Sequence, residues 1–156
     1  MTNDLFPSPT LVADEQEAPA ITAALVEESR RLNFLPNLFT PRYLIRGEGI
    51  VFHLMETMCQ EYTGGMWMFY ELSNGSGYMV SDMERVTLFV AGNGFNDEMS
   101  GDAAGIVITL FALNYLIGVA HDRSEAESEV LIERYYGLRD FAFQHAECDL
   151  IFAAID

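Results

Sequence analysis

Residues 66–80 read Met-Trp-Met-Phe-Tyr-Glu-Leu-Ser-Asn-Gly-Ser-Gly-Tyr-Met-Val, which is an aromatic run, a polar turn and a shorter apolar run. The dipeptide Asn74-Gly75 is the strongest short-range signal for a β-hairpin, because both residue types tolerate the positive φ of a tight turn. We therefore predict a strand over residues 66–72 that returns antiparallel over residues 78–80. Residues 85–91 alternate between two sets of side chains, which predicts a third strand and completes a three-stranded meander.

The rest of the chain shows mostly helical periodicity. We predict helices over residues 21–32, 42–61, 101–121 and 150–155, and a long helix that begins at residue 124. Ser100 can cap the helix that follows it, and Ser124 with Glu127 forms a capping box. Residues 34–39 are predicted as an apolar connector. The predicted fold class is α+β: a small three-stranded antiparallel sheet packed by several helices in a single domain.

The longest apolar run covers residues 105–120 and lies inside one of these helices. A membrane-spanning helix needs about 20 such residues. Because this run is shorter and contains Thr109 and Asn114, we predict the central buried helix of a folded domain.

Residues 1–19 differ in composition from the rest of the chain. They contain three prolines and several acidic residues but no basic one, which predicts a flexible acidic tail. Residues 20–156 then form one domain, since a chain of this length fits a single core. The N-terminus lacks the positive charge and apolar run of a secretory signal, and Cys59 and Cys148 fit two reduced thiols. We therefore expect a cytoplasmic protein.

The charge balance is strongly negative. Twenty-four acidic residues and eight basic ones, all of them arginine, give a formal net charge of −16. This charge repels nucleic-acid phosphates and anionic membranes, so we expect contact with neither. It also favours a monomer and a partner with a basic protein surface.

The density of this charge bears on DNA mimicry. A folded chain of this size carries about one net charge per 500 Å² of surface, whereas a B-DNA cylinder carries about one per 100 Å². Mimicry of a duplex therefore requires the last helices to gather their acidic residues on one face.

The sequence carries no recognisable catalytic motif. It has no G-x-S-x-G elbow, and the absence of lysine excludes both S-x-x-K and a P-loop. His53 and Glu56 are three residues apart on a predicted helix, but no patterned third or fourth metal ligand accompanies them. We expect no metal, no cofactor and no enzymatic activity. The remaining alternative is a small hydrolase or nucleotide-modifying enzyme that would use Glu48, His53 or Glu56.

A set of ordered stretches resembles the ArdB/KlcA antirestriction family. They are Phe34-Leu35-Pro36, Arg46-Gly47-Glu48, residues 62–75, Gly92-Asn93-Gly94-Phe95, residues 100–107, residues 134–139 and residues 153–156. The resemblance implies a small bacterial cytosolic protein, often carried on plasmids or other mobile elements, that protects incoming DNA against type I restriction–modification enzymes. It also implies an α+β fold, and it carries over no cofactor and no catalytic residue.

Two acidic segments supply the candidate interaction residues. The connector of residues 92–102 is polar and glycine-rich, and such loops often carry function; the predicted helix after residue 124 adds a row of glutamates. The candidates are Asn93, Asp97, Glu98, Asp102, Glu125, Glu127, Glu129 and Glu133. We predict that they contact a basic surface of the host restriction machinery or of an associated protein. The alternative is an acidic DNA mimic that occupies the DNA-binding groove of its target.

Overall fold

The computed structural model describes residues 19–156, so the predicted flexible tail over residues 1–19 lies almost entirely outside the described residues. Its elements in chain order are β1 (Ala23–Leu25), α1 (Arg31–Met58), β2 (Trp67–Leu72), β3 (Gly77–Ser81), β4 (Arg85–Val90), β5 (Phe95–Ser100), α2 (Gly101–Asp122), α3 (Glu127–Phe143) and α4 (Cys148–Ile155). The predicted α+β fold class is confirmed, with one antiparallel sheet of three strands and another of two. The terminal helix predicted over residues 150–155 is confirmed as α4.

The predicted hairpin is confirmed, but the third strand of its sheet is not the predicted one. Strands β2 and β3 pair with Phe69 opposite Met79, and Gly75 in the turn has a φ of 93°. The other edge of β2 pairs with β1, in a segment where the sequence predicts a helix over residues 21–32. Pairing with β1 satisfies the main-chain groups on that edge of β2, and this tertiary gain outweighs the weak helix propensity of a short segment.

Strand β4 is confirmed as a strand, but it pairs with β5 in a separate sheet. Residues 92–102, predicted as a connector, therefore contain a turn with Gly94 at a φ of 76° and then a strand. Closing this local hairpin restricts only a short loop, so it costs little chain entropy. The strand was not visible in the sequence because Met99 is its one buried residue, and alternation of apolar and polar residues is therefore missing.

Helix α1 is longer than predicted and consists of two segments. The break is at Thr40, which has a φ of 71° and a ψ of 155°. Pro41 follows directly, and a proline disfavours helical backbone in the residue before it. Residues 34–39, predicted as a connector, are helical instead. Phe34 and Leu38 lie about one turn apart and are both buried, so they form the inner face of this first segment.

Helix α2 is the central buried helix, as predicted. The Ser100 hydroxyl accepts a hydrogen bond from the Ala103 N–H at 3.0 Å, which confirms the predicted cap. Its mean hydropathy of 2.1 over a window of the helix would suit a membrane, but most of that window is buried inside the protein. A Cβ added to Gly105 would lie 2.3 Å from the Met79 carbonyl oxygen. The absence of a side chain there therefore lets α2 cover the outer edge of β3.

The connection between α2 and α3 differs from the predicted capping box. Helix α3 begins at Glu127, and Ser124 has a left-handed φ of 56°. The Glu125 N–H donates to the Ala120 carbonyl at 2.9 Å, and the Ser124 N–H donates to the His121 carbonyl at 2.9 Å. This is the bonding pattern of a Schellman motif, so Ser124 ends α2 instead of starting α3.

Candidate interaction surface

The predicted interaction residues lie on several elements. Those of the 92–102 segment belong to the β4–β5 hairpin and to the first turn of α2. Those after residue 124 lie in the α2–α3 connection and along α3.

On the β4–β5 hairpin, one predicted residue is structural and two are exposed. The Asn93 amide nitrogen donates to the Ala154 carbonyl at 2.9 Å, which connects the hairpin turn to the end of α4. Asp97 and Glu98 are exposed on β5. Glu98 lies 3.7 Å from Arg85 on the paired strand, but both side chains are more than half exposed. Such a pair contributes little, so Asp97 and Glu98 remain available for contact.

Asp102 belongs to a chain of hydrogen bonds. One carboxylate oxygen accepts from the Tyr78 hydroxyl at 2.8 Å, and the other lies 2.8 Å from His145 Nε2. His145 Nδ1 accepts from the Glu147 N–H at 3.0 Å. A neutral imidazole with its proton on Nε2 satisfies both of these contacts. These hydrogen bonds therefore connect β3, α2 and the segment after α3.

The surroundings of these hydrogen-bonded side chains set the ionisation of Asp102 and Tyr78. Burial raises the pKa of Asp102, but the hydrogen bonds from His145 and Tyr78 lower it more, so its pKa lies below the ordinary value. Burial and then the charge of Asp102 raise the pKa of the Tyr78 hydroxyl. Asp102 is thus ionised and accepts hydrogen bonds from within the fold, so its carboxylate is less available to a partner.

Glu147 occupies a similar structural position beside the start of α2. Its carboxylate accepts from the Ser100 N–H at 3.0 Å and from the Ser100 hydroxyl. Burial raises the pKa of Glu147, and the hydrogen bonds from Ser100 lower it more, so the net pKa lies below the ordinary value. An acidic side chain near the N-terminus of a helix also interacts favourably with the helix dipole.

The first two glutamates after α2 are engaged with α1. Glu125 accepts a hydrogen bond from the Tyr43 hydroxyl and lies 2.9 Å from Arg42 Nε. Glu127 lies 3.4 Å from the same nitrogen. The hydrogen bond to Glu125 raises the pKa of Tyr43. Because Arg42 and Tyr43 are more than 80 residues away in sequence, the sequence alone does not reveal that these two carboxylates share one arginine.

The exposed side of α3 carries a feature that the sequence analysis missed. Glu129 and Glu133 are exposed there, as a contact role requires. Ile132, Tyr136 and Phe143 are exposed on the same helix. These three residues are apolar, but they fall outside the stripe of buried positions on α3. Apolar residues outside the apolar stripe of a helix are the sequence signal that could have found them.

Two of the stretches with a family resemblance, residues 62–75 and 134–139, meet around Arg134, together with Asn37, which directly follows a third. Its Nε donates to the Asn37 carbonyl at 2.8 Å, and its own carbonyl accepts from the Ser76 hydroxyl at 2.5 Å. The Asn74 amide nitrogen donates to the Gly137 carbonyl at 2.9 Å. These bonds join the β2–β3 turn, α3 and the first segment of α1, and a cleft of about 340 Å³ adjoins them. The shared stretches thus stabilise the packing of these elements.

The residues considered for catalysis do not form one site. Glu48, His53 and Glu56 line three different clefts, of about 330, 540 and 400 Å³ respectively. Over residues 19–156, no group of three or more His, Cys, Asp or Glu side chains is placed to hold a metal ion. The three residues therefore line no common cleft among those of the described residues.

Comparison with known proteins gives a consistent result. A sequence model of a family described as antirestriction protein matches residues 60–156. Two antirestriction proteins KlcA from Escherichia coli are 46% and 47% identical, over 90% and 93% of this chain and 98% and 100% of their own length. A solved structure superposes with a TM-score of 0.80 at 46% identity, covering 90% of this chain and 99% of the other. It is described as showing that KlcA and ArdB have a novel fold and antirestriction activity against type I DNA restriction systems in vivo but not in vitro.

Proposed function

The chain belongs to the antirestriction protein family, and from this membership we propose that it protects incoming DNA by inhibiting type I restriction enzymes through non-enzymatic protein contact. The single observation that carries the proposal is the identity of 46–47% with KlcA proteins over nearly the whole length of both chains. The net charge of −16 supports a partner with a basic protein surface, because opposite charges attract over long distances.

The in vivo activity of KlcA and ArdB, and its absence in vitro, bears on the identity of the partner. We include in the proposal that the contact involves the restriction enzyme or a protein associated with it in the cell. The protein would act in the bacterial cytoplasm, and plasmids or other mobile elements would carry the DNA that encodes it. It would act as a monomer, since copies with the same charge repel each other.

The proposal is tested by the plating efficiency of unmodified phage on cells that contain a type I restriction system. Expression of the chain should raise this efficiency toward the value for phage that already carries the protective modification. Modified phage and cells without the restriction system are the controls, and both should be unaffected. An unchanged plating efficiency at normal expression would refute the proposed function.

The acidic DNA mimic remains the alternative and has less support. It requires the acidic residues of the last helices to act together, but Glu125 and Glu127 lie close to Arg42. A complex held by charge mimicry should weaken steeply between low and high salt, since charges are screened over about 10 Å at 0.1 M. Binding to a purified type I enzyme that does not respond to salt would count against mimicry.

The enzymatic alternative is tested by replacing Glu48, His53 and Glu56 together with alanine. We expect protection to be unchanged, because these side chains line separate clefts. The measurement is the same plating efficiency, with the melting temperature as a control for folding. Loss of protection in a folded triple variant would instead support a hydrolase or a nucleotide-modifying enzyme.

A further inference from the structure

Helix α3 exposes a row of large apolar side chains along one side. Ile132, Tyr136 and Phe143 are 39%, 54% and 61% exposed. At about 100° per residue, these three and Arg139 fall within about 60° of arc. We call this set of four residues the α3 stripe. Single exposed apolar residues are ordinary on protein surfaces, but a contiguous row marks an interaction site.

The α3 stripe is held in a defined arrangement by its neighbours. The rings of Phe143 and Phe152 stack at 4.4 Å between centroids. The Arg139 guanidinium carbon lies 5.9 and 5.5 Å from these two ring centroids. Tyr136 packs edge-on against Tyr135 at 5.2 Å. Ordered aromatic and arginine side chains lose little conformational entropy on binding, and they are the residue types that dominate binding energy in protein interfaces.

Carboxylates border this row. Glu129, Glu133 and Asp140 are exposed on α3. By the same helical geometry they all lie on one side of the α3 stripe. A partner that covers the stripe must therefore bring an apolar ridge together with basic residues along one edge. A second copy of this chain or an anionic membrane would instead bring like charges together.

We propose that the α3 stripe and its carboxylate border bind one basic amphipathic helix of a protein partner. From residue 132 to residue 143 the row is straight and about 16 Å long, which matches about three turns of a helix laid against α3. The inference rests on the proposed function, namely action by protein contact. It adds the place of that contact and the chemistry of the element that the partner contributes.

The first test uses a labelled synthetic peptide as probe, measured by fluorescence anisotropy with the full chain. The peptide has 18 residues, with leucine on one helical face and lysine on the other, and a scrambled peptide of equal composition is its control. We expect the amphipathic peptide to bind about tenfold more tightly than the scrambled one. Equal affinity for both peptides would mean that only charge is recognised, and it would overturn the proposal.

Variants then locate the contact. The double variant Ile132→Ser with Tyr136→Ser should lose the preference for the amphipathic peptide. Leu32→Ser with Ile45→Ser is the matched control, because both residues are exposed and apolar but lie on α1, and it should keep the preference. Phe143 is left unchanged because it packs on Phe152. Amide chemical shifts that move on the β4–β5 hairpin and not on α3 would overturn the proposal even if the affinities agree with it.

A second test separates this inference from the function on which it rests. In cells with a type I system, the Ile132→Ser, Tyr136→Ser variant should lose protection, whereas the α1 control should keep it. Protection by the stripe variant equal to that of the unaltered chain would refute the inference and leave the function intact. Absence of protection by the unaltered chain would refute the function. Self-association that disappears in the stripe variant would assign the surface to a second copy and overturn the proposal.

Discussion

Asp102 is a contact candidate by sequence and a structural acceptor in the fold. The difference comes from Tyr78 and His145, which approach its carboxylate from elements distant in the chain. Glu125 and Glu127 change role for the same reason, because Arg42 lies beside them. The charge of a single residue is written in the sequence, but its availability depends on the groups that surround it.

The low pKa of Asp102 leads to a prediction about acid stability. Its folded pKa lies below the ordinary value of about 3.9. Its contribution to the free energy of unfolding is therefore complete above about pH 5, and it is lost as the pH falls through the folded pKa. We expect the unaltered chain to lose more stability between about pH 5 and pH 2 than the Asp102→Asn variant. Urea unfolding at a series of pH values measures this.

Asp97→Asn is the control for this experiment, because Asp97 is exposed on β5. The loss of stability on acidification should be smaller for the Asp102→Asn variant than for this control. Parallel curves for the Asp102→Asn variant and the unaltered chain would contradict the role given to the hydrogen bonds of Asp102.

At the scale of the elements, the sequence predicts the existence of α2 and α3 correctly but not how the chain passes from one to the other. Helix α2 was predicted with its cap at Ser100, because a run of apolar residues behind a serine is a strong local signal. Ser124 also carried a local signal, since a glutamate follows three residues later. The structure uses Ser124 to end α2 instead, and only the path of the chain between α2 and α3 decides between these two roles.

The left-handed backbone of Ser124 gives a prediction that separates its two roles. Glycine adopts a positive φ without steric cost, so Ser124→Gly should raise the free energy of unfolding by up to about 1 kcal/mol. Ser128→Gly, in the first turn of α3, should lower it by up to about 0.5 kcal/mol, since glycine has the lower helix propensity. Chemical denaturation measures both. A loss of stability in the Ser124→Gly variant would favour the N-terminal cap of α3 that the sequence suggested.

At the scale of the whole molecule, the two proposed modes of binding depend on different properties of the negative charge. A mimic of DNA depends on the total density of carboxylates, whereas a contact surface depends on where they lie. Glu129 and Glu133 border the α3 stripe, while Asp82 and Glu84 are exposed next to the start of β4. Replacing either pair by amides removes the same number of charges.

We therefore expect the two pairs of substitutions to differ in their effect on protection. Glu129→Gln with Glu133→Gln should lower the plating efficiency of unmodified phage in cells that express the chain. Asp82→Asn with Glu84→Gln should leave it unchanged, because this pair is not on α3. An equal reduction by both pairs would show that total charge matters, which would favour mimicry. No reduction by either pair would exclude a role for the carboxylate border.

The sequence by itself determined the features that depend on neighbouring residues and on total composition. The β2–β3 hairpin follows from the Asn74-Gly75 turn, the buried α2 from residues 105–120, and the negative charge from the residue count. The ordered stretches that resemble the antirestriction family were likewise readable without a structure. These features were predictable because their causes act within a few residues of the chain.

Only the tertiary structure decided which strands pair and which charges stay exposed. It placed β1 beside β2 and β5 beside β4, and it brought Arg42 close to Glu125 and Glu127. It also left Tyr136 and Phe143 uncovered on α3. Each of these outcomes depends on groups brought together from distant parts of the chain, where the gain in burial or pairing outweighs local preference.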